Sequence, residues 1–451
     1  MDHPRDRELK SVLAGKAGPK ARGRVVRHLL SRCEECPEKL RALLPPGMFR
    51  STSVPDSEEA YDACIDRALS AVRLQQKTWD REKERKDRGL ALVHAKGWGN
   101  LTAAERRALR GSWARVEVLI ELSFEMRYRH RKIMLELALS AQRAADRLQP
   151  TAACPERLLF DLRARAAAEV ANAERVNERF FQTEEALQKA RALLDQGTGD
   201  LLTEAYIHEV ESAFLKDHRR FAEAEALLHQ AYRTYLKLGD HHLAGRTLMS
   251  QGVCKVVAGK PVEGVGFHKR ALDLLDPARD PQLIAATQHN LLNALVDAGD
   301  LREAGRLLLE SGLRQTFADD PLNLLRIRWV EGKIAAGRDR FKEAEKIFAD
   351  VRDGFRVQGL EFVAAVAGLD LAKLLLRQGK TQQVHDLARE LVARARERKI
   401  HPEAVNALHG FEYVCRVKVV SVQNAELTQK FLYQLESRPS LTWAPELMFV
   451  G

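Results

Sequence analysis

From residue 58 onward, apolar residues recur at helical spacing among Ala, Leu, Arg and Glu, and no run of β-branched alternation interrupts them. The pattern predicts helices throughout. Pro45-Pro46-Gly47 and the stretch Ser51-Thr52-Ser53-Val54-Pro55-Asp56 cannot continue a helix, so they separate a short N-terminal piece from the body. Ser57-Glu58-Glu59 opens the next helix. Tyr61 to Gln76 and Trp79 to Ala95 read as two helices, followed by a break at Gly97-Trp98-Gly99-Asn100. Thr102-Ala103-Ala104-Glu105 then has the form of a capping box. Trp113 to Leu148 is helical with an interruption at Arg127-Tyr128-Arg129-His130, and Pro150 ends it.

The body repeats itself at a spacing of 40 residues from about 181 to 400. Phe181, Phe221, Pro261, Leu301, Phe341 and Thr381 align, most of them opening a helix after a turn. Further along comes a column of mostly small residues, Ala224, Gly264, Ala304 and Ala344, with Glu184 and Val384 as exceptions. A second column precedes the anchors: Ser212, Gly252, Gly332 and Ala372, with Asn172 and Leu292 departing from it. Gly259, Gly299 and Gly379, with Gly337 slightly offset, suit the left-handed residue that closes a first helix. Breaks at 238–240, 277–281, 318–321 and 357–359 close the second helix of each unit. Each unit is therefore a helix pair, and the small columns mark where two helices cross too closely for a side chain larger than Ala. Leu227-Leu228, Leu308-Leu309, Ile347-Phe348 and Leu391-Val392 supply the apolar stripe that a pair must bury against its neighbour.

These units resemble the tetratricopeptide-repeat family. The resemblance rests on Ala298-Gly299-Asp300-Leu301-Arg302-Glu303-Ala304, Asp339-Arg340-Phe341-Lys342-Glu343-Ala344 and Arg220-Phe221-Ala222-Glu223-Ala224. In length the unit is nearer to HEAT and armadillo repeats than to the family's usual ~34 residues. The helix A Trp is also missing from most units. The resemblance implies an all-α, right-handed superhelical solenoid of antiparallel helix pairs, about five of them clear and two or more degenerate. It also implies a concave groove, lined by first helices, that receives a peptide or protein partner. Carried over, the inward positions are Arg246, Asn293, Arg326, Lys333 and Lys373. All but Asn293 are basic, so an acidic segment or a C-terminal carboxylate is the implied ligand. Ordinary exposed surface cations are the plainer reading of the same residues.

Charge changes the picture only at the N-terminus. Of a net charge of +10, residues 1 to 50 contribute +6, from 12 Lys/Arg and 6 Asp/Glu, and the remainder is nearly balanced. The basic pI thus implies no general affinity for nucleic acid. Four of the six cysteines, Cys64, Cys154, Cys254 and Cys415, are scattered among Ala/Leu-rich segments and read as free thiols. The other two form Cys33-x-x-Cys36, and with His3 and His28 they make the one metal-like spacing in the chain. Two thiolates on a tight turn and two imidazoles complete a tetrahedral zinc site. His3 to Cys36 resembles the zinc-binding domain of anti-sigma factors, supported by Leu13-Ala14-Gly15 and Val25-Val26-Arg27-His28-Leu29-Leu30. Four residues separate His28 from Cys33 where that family has three, so the helix must end near Ser31 and leave Cys33 on a turn. The resemblance implies zinc and a sigma factor as partner, with a metal-free module as the alternative.

No phosphate-binding Gly-rich loop, Gly-x-Ser-x-Gly or His-Glu-x-x-His motif appears. His241-His242 reads as a solvated helix start, and the single histidines at 208, 218, 229, 268, 289, 385, 401 and 409 as partly exposed polar residues. The charged run Asp80 to Arg88 suits a solvated helix. The first residues are charged with no apolar core after them, and no apolar stretch is long enough to span a bilayer, so the expectation is a cytoplasmic protein of bacterial type. The expected organisation is a zinc-finger-like module over 1–44, a linker over 45–57, degenerate repeats over 58–178, the solenoid over 179–436 and a tail over 437–451. Its function is a non-catalytic scaffold or regulatory adaptor. The alternative is a transcriptional regulator whose N-terminal module contacts a sigma factor or DNA.

Overall fold

In the computed structural model the described residues are 3–13, 25, 28, 58–108, 112–127, 130–151, 154–437, 441–445 and 448. They are helical, with no strand among them. Two units are present, residues 1–77 and 78–451. In the first, α1 (Asp6–Leu13) buries Leu9. Cys33, Cys36 and the expected linker lie outside the described residues.

The two helices expected over 61–95 are one helix, α2 (Glu58–Lys96), of 39 residues. Lys77-Thr78 contains neither Gly nor Pro, and the charged run beyond it keeps helical spacing, so nothing stops propagation. After the break, α3 (Ala103–Ala108) opens on the capping box: the Thr102 amide donates to Glu105 at 2.7 Å and the Glu105 amide to Thr102 Oγ1 at 3.2 Å. The interrupted segment is the pair α4 (Trp113–Met126) and α5 (Arg131–Asp146).

Helix pairs then follow to the C-terminus. They are α6 (Glu156–Val176) with α7 (Phe180–Gln196), α8 (Leu201–Asp217) with α9 (Phe221–Leu238), and α10 (His241–Val257) with α11 (Pro261–Leu274). Next come α12 (Pro281–Asp297) with α13 (Leu301–Glu310), α15 (Pro321–Gly337) with α16 (Phe341–Val357), α17 (Glu361–Arg377) with α18 (Thr381–Glu397), and α19 (Pro402–Arg416) with α20 (Val422–Ser437). A single turn, α14 (Leu313–Thr316), interrupts the sequence of pairs. The expected anchors Phe221, Pro261, Leu301, Phe341 and Thr381 each open a second helix. This is the all-α solenoid that the repeat predicts.

The small columns do mark close crossings. A Cβ on Gly252 would stand 2.6 Å from the His268 ring, and one on Gly332 would stand 2.7 Å from Phe348. Ala224, Ala304 and Ala344 are fully buried. Two details depart from the sequence reading. Gly337 ends α15 inside the helix, where a Cβ would strike Leu301, and the left-handed residue is Asp339 at φ 57°. Leu309 does not join the apolar stripe: it is 86% exposed, because α13 stops after 10 residues at Ser311-Gly312 while its neighbours run longer. Leu313 of α14 is buried among Leu292, Leu295, Ile327 and Ile334 instead. An apolar cleft of about 510 Å³ opens nearby, between α15 and α16, beside Leu324, Leu325 and Val357.

Beyond α20, Trp443 and Met448 lie against the last helix pair. Trp443 packs on Phe431 with ring centroids 4.8 Å apart, its amide donates to Glu403 at 2.6 Å, and Asn424 donates to the Met448 carbonyl at 2.8 Å. Cys254 and Cys415 are buried thiols, and burial pushes them up to about 11 and about 12; Cys154 is partly exposed.

Candidate peptide-binding groove

First helices of successive pairs pack against one another, α6 on α8, α10 on α12 and α12 on α15, so their outward faces form one continuous layer. Side chains repeating at about 40 residues therefore line up across it.

At its N-terminal end the layer is closed by its own hydrogen bonds. Arg246 of α10 donates to Glu209 of α8 at 2.5 Å, Glu209 also accepts from Tyr235 and from Thr247 at 3.0 Å each, and the guanidinium lies 5.4 Å from the Phe124 ring centre. Tyr235 is buried, and its phenol is held well above the usual tyrosine range by burial. Arg246, expected to meet a partner, spends its charge inside the protein.

The middle of the layer is different. Arg326 of α15 is exposed and donates to Asn323 at 3.0 Å. Two turns further, the Lys333 ammonium lies 5.3 Å over the Trp329 ring, a cation–π contact. On α12, Asn293 sits 3.4 Å from the His289 ring. Burial and the neighbouring Arg326 and Lys333 charges hold His289 down to about 4, so it is a neutral imidazole at physiological pH. Arg326, Lys333, Asn293 and His289 thus meet across the α12–α15 seam with two cations and two adaptable polar groups. Asp297 is pushed up by burial there, although Lys333 pulls the other way.

Toward the C-terminal end the charges pair again. Lys373 of α17 bridges Asp370 at 2.6 Å and donates to Gln429 of α20 at 2.8 Å. Asp370 is buried, and it also accepts from Trp329 Nε1 at 2.8 Å. Gln429 donates to the Val366 carbonyl at 3.0 Å. The final helix therefore packs on α17 and ends the open stretch of the layer.

No protein-family model and no curated protein matches the sequence. The fold does have solved counterparts. A Rap protein crystallised with competence and sporulation factor superposes with a TM-score of 0.54 at 11% identity, over 72% of this chain and 88% of that one. The apo form of RapI gives 0.49 at 12% identity, over 72% and 87%. Aspartyl phosphate phosphatase F from Bacillus subtilis gives 0.47 at 12% identity, over 62% and 71%. The chain has the helical-repeat fold of the first of these.

The sequence reading missed His289, Trp329, Asp370 and Gln429. Trp329 stands 40 residues after His289, so the repeat register places both on the same face, and tracking that column would have found them. Gln429 carried no such signal, since it enters the layer from the last helix. In the N-terminal unit, His3 and His28 come together, with ring centroids 5.1 Å apart in an edge-on arrangement. Other histidines depart from expectation too: His268 is buried, and His242 is buried with its Nδ1 accepting the Asp276 amide at 3.1 Å. No helix among the described residues is long and apolar enough to cross a membrane.

Proposed function

We propose that this chain is a non-catalytic regulatory adaptor that holds an extended, acidic peptide segment across the α12–α15 seam of its first-helix layer. The observation carrying this reading is the contrast along the layer: Arg246 and Lys373 are bridged to Glu209 and Asp370 within the fold, whereas Arg326 is exposed and stands with Lys333, stacked over Trp329, beside Asn293 and the His289 ring. A peptide carboxylate would meet these two cations, and Asn293 can take both a backbone carbonyl and an amide. The Rap protein of the same fold was crystallised with competence and sporulation factor, which supports a fold that receives a partner. Isothermal titration with acidic, neutral and basic peptide pools tests it. The acidic pool binds best, salt weakens it, and Arg326→Ala with Lys333→Ala costs at least about tenfold in affinity, the equivalent of one charge-assisted hydrogen bond. Equal binding of acidic and basic pools overturns it.

A second reading concerns the N-terminal unit and rests on the His3–His28 contact. We propose that these imidazoles, with Cys33 and Cys36, hold one zinc ion, and that the module offers a contact to a second protein such as a sigma factor. Two nitrogen and two sulfur donors are a set that zinc favours. Elemental analysis tests this: one equivalent in the native protein, lost in the Cys33→Ser/Cys36→Ser variant, supports it, and no zinc in either rejects it.

A further inference from the structure

We propose that Glu169 is held as a neutral carboxylic acid where α4, α5, α6 and α8 meet, and that its proton works as a latch on this junction. Glu169 is fully buried. Ser123 Oγ lies 3.0 Å from the Met134 carbonyl and 2.5 Å from Glu169 Oε1. A serine hydroxyl has one hydrogen, and both neighbours are acceptors if Glu169 is ionised. One pair of oxygens would then face each other with no hydrogen between them, in a site closed to water. A proton on Glu169 removes the conflict. Glu169 donates to Ser123 Oγ, Ser123 donates to the Met134 carbonyl, and the Tyr206 hydroxyl donates to Glu169 Oε2.

The surrounding charges agree with a neutral acid. From α4 the groups acting on Glu169 are Ser123 and, just past the helix end, Arg127; α6 gives Asn172 and α8 gives Tyr206, whose own neighbours include Glu209, while the Met134 carbonyl of α5 meets Ser123. Arg246 approaches from α10 but is committed to Glu209. Arg127 is stacked over the Phe124 ring at 3.8 Å and donates to the Phe124 carbonyl at 2.7 Å. Burial raises Glu169 to about 7, outweighing the hydrogen bonds from Ser123, Tyr206 and Asn172 and the Arg127 charge.

When pH rises, the proton leaves to solvent and the Ser123 hydrogen swings from the Met134 carbonyl to the new carboxylate. Arg127 is then drawn off Phe124 toward the charge. A carboxyl raised above its unfolded value stabilises the fold fully below about 4.5 and loses that contribution as pH climbs through about 7. The junction therefore loosens around neutrality.

The full-length protein with Glu169→Gln, an uncharged mimic of the acid, tests this. Wild type shows the infrared carbonyl band of a buried protonated carboxyl near pH 6 and loses it by pH ~8, and the variant never shows it. The melting temperature of wild type falls relative to the variant as pH rises from about 4.5 to about 7 and then levels off. A band unaffected by the substitution, or parallel melting profiles, overturns the proposal. If the variant does not fold, hydrogen exchange of wild type decides. After correction for intrinsic rates, protection in α4 and α6 must drop between the two pH values, and unchanged protection overturns the latch.

Discussion

Arg246 and Arg326 stand two repeats apart in the same register, yet they have opposite surroundings. Arg246 is tied to Glu209, and its removal leaves a carboxylate that is 11% exposed without its cation. Arg246→Ala should cost about 3 kcal/mol of stability in urea denaturation. Arg326 stands at the surface, and Arg326→Ala should change stability by less than about 0.5 kcal/mol. Equal losses would mean that the two arginines do the same job. The sequence placed both on a common face through the 40-residue register, but it could not distinguish them. What decides is Glu209, 37 residues before Arg246, and no periodicity reports which acid finds which base across two helices. Gly252 was legible for the opposite reason: its requirement is steric and recurs per unit. Gly252→Val would drive a side chain into the His268 ring and should destabilise by about 1–3 kcal/mol.

Among the elements, second helices start where the anchors fall because Phe, Pro or Leu follows a turn, a local signal. Their ends were harder to read. The stop of α13 depends on Leu313 finding a buried place between α12 and α15, a tertiary contact that its sequence does not announce. The α10–α11 crossing carries a pH prediction. His268 is 1% exposed, and neither ring nitrogen has a hydrogen-bond partner among the described residues. Burial lowers it to about 4, below its ordinary value of 6.5, so its neutral form stabilises the fold above 6.5 and that contribution is lost as pH falls toward 4. The loss amounts to roughly 3 kcal/mol. In denaturant titrations at successive pH values, His268→Leu should flatten this acid limb. An unchanged slope would assign the acid sensitivity to other groups.

Across the whole molecule, the stacking of pairs was the most legible feature, since an amphipathic pair that cannot bury its face alone must recur. The position of the final helix was not legible. α20 lies beside α17, where Gln429 takes up Lys373, and this places the proposed contact at the α12–α15 seam. The central claim is that a partner enters there and not along the full layer. Hydrogen exchange of the full-length protein with and without an acidic peptide pool tests it most directly. The account predicts added protection in α12 and α15, reversed by salt and absent from Arg326→Ala/Lys333→Ala, with α9, α11 and α16 unchanged. Protection confined to the second helices, or persisting in the double variant, would contradict it.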